Sequence, residues 1–169
     1  MSVAVTHLSR DEVNGRRLCV LDLPSITKLP RTLALPSPRF VCLIACDAGT
    51  LTPETLDNLA RCLVDSGAVY VCAWGPHCER IEDAVDSLDV ELHLRDESDR
   101  VIMTTSHAGE PLREAIRFAL TDARPAADYD EGCEATLGLI IGNESWSTEV
   151  HNAFSNPRGF NAAVLSEDL

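Results

Sequence analysis

Four apolar runs in this chain stop abruptly at a polar knot and then open a segment with helical periodicity. Few folds can use that grammar. Phe40-Val-Cys-Leu-Ile-Ala-Cys46 stops at Asp47-Ala-Gly49. Thr52-Pro53 then supplies an N-cap with proline at the first helical position. Leu56, Leu59, Ala60 and Leu63 come next on one face, and Gly67 closes the helix. Val69-Tyr-Val-Cys-Ala73 repeats the pattern, with Gly75-Pro76 opening a helix marked by Ile81, Ala84, Val85 and Leu88. Val101-Ile-Met-Thr-Thr105 precedes Pro111 and the face Leu112, Ala115, Ile116, Ala119 and Leu120. Leu137-Gly-Leu-Ile-Ile141 precedes a short helix that Ser145 is expected to cap. A continuous apolar run reads as a strand buried on both faces. Alternation of such strands with helices implies right-handed crossovers and a parallel sheet. The expected fold is therefore α/β, a three-layer αβα sandwich with a mainly parallel sheet of at least four strands, Rossmann-like or flavodoxin-like. The preferred order of those four strands is 2-1-3-4.

Residues 1–38 read as an irregular N-terminal extension. Leu18–Leu23 is a candidate strand, at an edge or in a small hairpin, and Pro24, Pro30, Pro36 and Pro38 keep residues 24–38 irregular. A single α/β domain is expected over 39–154, with a short strand at Val90–Leu94 and a loop over 122–134. Residues 155–169 read as a C-terminal tail.

The sequence of 169 residues carries a net charge of −13, from 14 basic and 27 acidic residues. Such a surface repels phosphate backbones and anionic lipid, so neither nucleic acid nor a membrane is an expected partner. A protein with a basic face is. No apolar run approaches the length of a membrane span and the first residues lack the pattern of a secretory signal, so a cytoplasmic location is expected. Lys28 is the only lysine, which leaves no P-loop or Schiff-base lysine elsewhere. Cys19, Cys42, Cys46, Cys62 and Cys72 sit in apolar periodic segments, where a thiol behaves as a small hydrophobe.

In a parallel sheet the loops after the strands share one edge, and such folds bind ligands there. Candidates at that edge are Asp47, Thr50, Trp74, His77, Cys78, Ser106, His107, Glu110, Asn143, Glu144 and Trp146. Trp74-Gly-Pro-His-Cys78 resembles the active-site turn of thioredoxins, but Gly75 stands where the first cysteine belongs, so dithiol chemistry fails. What survives is one thiol on the first turn of a helix, where the macrodipole favours thiolate. Cys78 as nucleophile would take His107 as base, with Glu110 orienting the ring. A core thiol beside a capping histidine explains the same residues. His77, Cys78, His107 and Glu110 lack metal-site spacing, so no metal is expected. No glycine-rich phosphate cradle and no G-x-S-x-G elbow occurs, and no cofactor is expected. Trp74 and Trp146 stand out in a chain with 5% aromatic residues, either lining a shallow pocket or closing the core.

The two cassettes together resemble a bacterial, Rossmann-like family known only as a domain of unknown function. Its pattern ends one strand in Ala-Trp-Gly-x-x-Cys and runs Met-Thr-Thr-x-His-x-x-Glu-Pro-Leu from a later strand into a helix. Here these are Ala73-Trp74-Gly75 with Cys78, and Met103-Thr104-Thr105 with His107 and Glu110-Pro111-Leu112. The resemblance covers roughly residues 39 to 142 and implies a Rossmann-like domain with no established activity. Three readings stay open. The first is a small acidic protein that binds a partner or small ligand at the strand-end edge through Asp47, Trp74, His77, Ser106, Asn143 and Trp146, in an accessory or immunity-type role. The second is a cysteine-dependent acyl- or thiol-transfer enzyme using Cys78, His107 and Glu110. The third is a nucleotide sensor.

Overall fold

The computed structural model describes residues 4–96 and 101–167. Six strands among these residues form one sheet: β1 (Thr6–Arg10), β2 (Arg17–Leu23), β3 (Arg39–Ala45), β4 (Ala68–Trp74), β5 (Met103–Ser106) and β6 (Cys133–Ile141). Among the described residues six α-helices accompany them: α1 (Pro53–Ser66), α2 (Glu79–Asp96), α3 (Leu112–Thr121), α4 (Ala127–Asp130), α5 (Glu144–Ser155) and α6 (Pro157–Glu167). The order across the sheet is β1-β2-β6-β3-β4-β5, and every pairing is parallel except that of β1 with β2. The architecture is the expected α/β sandwich with a mostly parallel sheet.

The strand order differs from the expected one. In the numbering of the four expected strands it is 4-1-2-3, because the chain steps from β3 to β4 to β5 in one direction and then returns beyond β3 to place β6. Right-handed crossovers in opposite directions lie on opposite faces. The core accordingly has two halves. Leu56, Leu59 and Leu63 of α1 and Ile81, Val85 and Leu88 of α2 pack on one face, joined by Leu33 of the proline-rich connection. Ile116 and Leu120 of α3 and Val150 and Phe154 of α5 pack on the other. The direction of travel reverses between β3 and β6, and that is the switch point of the sheet.

The strand expected over Leu18–Leu23 forms, in a hairpin as one of its two alternatives had it. Residues 90–94, the expected loop over 122–134, where α4 forms and β6 begins, and the tail depart from the sequence expectation. The extension is part of the sheet: β2 pairs with β6 along its whole length, from Arg17 with Ala135 to Leu23 with Ile141. β1 closes a hairpin onto β2 around Gly15, with Asp11 N–H donating to the Arg16 carbonyl at 2.9 Å and Asn14 N–H to Asp11 Oδ1 at 2.6 Å. The edge position therefore falls to β1. Val90–Leu94 is helical and continues α2, since Leu88 and Leu92 extend the stripe begun by Ile81 and Val85. Residues 157–167 of the expected tail form α6, which meets α5 and α3 and carries an Arg113–Glu167 ion pair at 3.3 Å. The first three residues of the extension and the last two of the tail lie outside the described residues.

Candidate functional site

The loops after β3 and β4 are locked together at the carboxyl edge. Cys46 N–H donates to the Trp74 carbonyl at 3.1 Å and Ala48 N–H to the Pro76 carbonyl at 3.0 Å. Arg80 Nη1 adds a bond to the Ala48 carbonyl at 2.5 Å. The turn passes so close that a Cβ on Gly75 would stand 2.2 Å from the Cys46 carbonyl oxygen, and Gly75 has φ of 119°, which L side chains rarely adopt. His77 has φ of 57° without being glycine, a conformation costing about 1 to 2 kcal/mol. Its exposed ring lies over Gly49, where an added Cβ would meet His77 Cδ2 at 2.5 Å. Asp47 Oδ1 accepts from Gly49 N–H at 3.0 Å, and Thr50 Oγ1 donates to the Asp47 carbonyl at 3.3 Å. Asp47 and Thr50 therefore build their own loop.

The end of β5 is tied to β4 in the same way, by His107 N–H donating to the Ala73 carbonyl at 2.9 Å. The His107 ring is buried with both nitrogens engaged. Nε2 meets Thr105 Oγ1 at 3.0 Å, Nδ1 meets Glu110 Oε2 at 2.9 Å, and the ring packs on Phe118 of α3 at 4.8 Å. The Thr105 hydroxyl also lies close enough to Tyr70 and Cys72 to favour their ionised forms, although burial of both outweighs it. Sequence reasoning passed over Thr105, although its spacing of two from His107 puts both on one face of a strand. Ser106 lies on the opposite face, that of Thr104, whose hydroxyl donates to Asp86 of α2 at 2.6 Å.

Cys78 does not meet the His107 ring. The thiol is 0% exposed, within the core half under α1 and α2, whereas the imidazole packs on α3 across the sheet. Burial pushes the Cys78 thiol above its ordinary value, against the opposing effect of the backbone N–H groups of His107 and of Cys78 itself. Desolvation outweighs the helix terminus, so the expected thiolate is corrected to a buried neutral thiol. All seven cysteines are buried and unpaired by disulfides, Cys133 included. The geometry thus separates the expected nucleophile from its expected base.

It does bring together the two tryptophans. Asn143, rather than the expected Ser145, caps α5, with Oδ1 accepting from Trp146 N–H at 2.9 Å. The cap fixes Trp146 in the first turn, and its ring meets that of Trp74 with centroids 5.0 Å apart and planes at 87°. Both rings are half-buried and belong to the α3–α5 face of the core. Trp74 comes from the end of β4 and Trp146 comes after β6, so the pair spans the carboxyl end of β3 between them, at the switch point. Trp74 Nε1 donates to the Glu110 carbonyl at 2.8 Å, which joins this pair to the Thr105–His107–Glu110 chain.

Among the described residues, no group of three His, Cys, Asp or Glu side chains is arranged to hold a metal, and no helix is long and apolar enough to cross a membrane. Two sizeable cavities lie away from the tryptophan pair. One of about 800 Å³ separates α1 from residues 26–32, and one of about 470 Å³ opens at the amino edge around Arg39, Asp89, His93 and Tyr129. At the carboxyl edge a groove of about 450 Å³ runs beside Asp22, Asn143 and Glu144.

Fold and edge together define an α/β sandwich domain whose switch point carries a paired-tryptophan rim. The model of the family described as Domain of unknown function (DUF7684) matches residues 18–157, and the chain belongs to that family. The match takes in β2, which the sequence resemblance left out. No curated protein matches the chain.

Proposed function

We propose that this protein is a non-catalytic binding module that docks a protein partner with a basic face on the carboxyl edge of its sheet. The observation that supports it most is the Trp74–Trp146 pair, half-buried, pinned and placed at the switch point. Large aromatics held rigidly at a surface are the usual anchors of protein interfaces. The loops and helix starts along this edge carry Asp47, Glu79, Glu110 and Glu144, which would steer a basic partner into contact. An accessory or immunity-type role in the bacterial cytoplasm suits a small acidic domain of this kind. The enzyme reading loses support because Cys78 and the His107 ring occupy opposite faces of the sheet.

The test compares the wild-type protein with a Trp74→Ala/Glu144→Arg variant, each immobilised and exposed to extract of the source cell. A partner retained by the wild type alone, released by raised salt and rebinding as a purified protein in calorimetry, is the expected result. Equal retention by both would move the interface off this edge and end the proposal.

A further inference from the structure

We infer that the cavity between α1 and the connection from β2 to β3 binds a small organic anion, an apolar body carrying a carboxylate or a phosphate. The site lies on the α1–α2 face of the sheet and depends on nothing proposed for the carboxyl edge. β2 and β3 both run parallel to β6, so the chain between them crosses that face from the carboxyl edge to the amino edge. Both ends of the crossing are pinned. Ser25 Oγ caps a 3₁₀ turn over Ile26–Lys28, accepting from Thr27 N–H at 3.3 Å. Leu33 is buried in the core, and its N–H donates to Ser66 Oγ at 2.7 Å, which in turn donates to the Cys62 carbonyl at 2.6 Å. Pro30 stiffens the span between them. The gap beside α1 is therefore built into the chain path. Its volume of about 800 Å³ lies within the roughly 300 to 1,000 Å³ of small-molecule sites.

Two features select the occupant. The first is an apolar wall. Ile26 and Leu29 are half-buried, rest on the core, and line the cavity together with Pro30 and, on α1, Cys62. Burial pushes the Cys62 thiol up to about 11, so it stays neutral and repels no anion. The second feature is charge. In a chain of net charge −13, Arg31 and Arg61 line this cavity against one acid, Asp65. Arg31 makes no ion pair among the described residues. Arg61 meets Glu91 at 3.5 Å, but Arg95 holds Glu91 more closely, at 2.9 Å. An exposed pair of that kind contributes little, so the Arg61 guanidinium can turn to a ligand. Guanidinium groups take carboxylate and phosphate through paired N–H donors. A neutral apolar guest would leave both arginines unpaired, a cation would be repelled by both, and an extended polyanion would be repelled by the rest of the surface.

The probe is 8-anilinonaphthalene-1-sulfonate, an aromatic body with one fixed anionic group, titrated into the intact protein and read by its own emission. N-phenyl-1-naphthylamine carries the same rings without the anion. Saturable binding of the sulfonate is expected, with the neutral amine weaker by about tenfold. Arg31→Gln and Arg61→Gln, exposed changes checked for folding by circular dichroism, should each weaken the sulfonate by about three- to tenfold. Arg124→Gln, at an exposed arginine outside the cavity, should leave it unchanged. Displacement of the probe by decanoate marks a carboxylate as the natural anion, and displacement by adenosine monophosphate marks a phosphate. Equal binding of the neutral amine overturns the inference. So does an Arg124→Gln effect as large as that of Arg31→Gln, displacement by neither competitor, or the absence of binding.

Discussion

The two ends of the sheet solve opposite problems. At the carboxyl end the buried His107 ring has a partner at each nitrogen, and the loops after β3, β4 and β5 are cross-bonded through Cys46, Ala48 and His107. At the amino end the hairpin between β1 and β2 buries Asp11 and Arg16, at 2% and 3% exposure, with Asp11 Oδ2 and Arg16 Nη1 lacking a hydrogen-bond partner among the described residues. A buried charge without full pairing costs stability, whereas a satisfied polar network rigidifies. The contrast teaches that only one end is finished: its geometry is over-determined, as a presenting surface needs, while the other stores avoidable cost.

The largest expected effect tests the over-determination. Gly75→Ala puts a Cβ 2.2 Å from the Cys46 carbonyl oxygen at a φ that alanine avoids. A loss of about 3 to 5 kcal/mol is expected in urea unfolding. A loss under about 1 kcal/mol would mean that the loops after β3 and β4 yield easily. The next effect has the opposite sign and probes the amino end. Asp11→Asn combined with Arg16→Met removes both buried charges and should leave stability unchanged or raise it by up to about 2 kcal/mol. A loss larger than that would show the pair to be serviced after all, and the contrast would dissolve.

The smallest effect compares one thiol from each end. Burial raises both Cys78 and Cys133 above the ordinary thiol value. The folded chain therefore keeps protons that the unfolded chain releases first. Their stabilising contribution is whole below about pH 9 and declines as pH rises through the unfolded value near 9 towards the higher folded one. At about pH 8 iodoacetamide should modify both equally slowly, at a rate set by unfolding. Preferential labelling of Cys78 would reinstate it as a reactive group and undo the assignment of a purely structural thiol.

The central βα units were readable because each carries an uninterrupted apolar run, a cap and a stripe. Thr52 caps α1 as its position before Pro53 implies, and Gly67 closes it at φ 109°. The elements that escaped the sequence reading lacked such signals. β1 is a polar pentapeptide, Thr6–Arg10, with nothing but Leu8 and Ser9 half-buried, so its pairing comes from the hairpin turn rather than from periodicity. Val90 and Leu94 look like strand residues because apolar side chains alternate there, yet they are 60% and 80% exposed on a helix whose other face is apolar. Strand order depends on which face each crossover takes, and residue pattern does not encode that. At the site, Trp74, Trp146, His107 and Glu110 were legible as a group because topology sends their loops to one edge. Cys78 and His107 were misjudged as a pair because sharing an edge does not imply sharing a face.

The margins of the sheet carry a consequence of their own. β1 has five residues and an irregular register between His7 and Ser9, and β5 has only four residues. Short or kinked outer strands make poor templates for further backbone pairing. Neighbouring copies therefore gain little by zipping margin to margin.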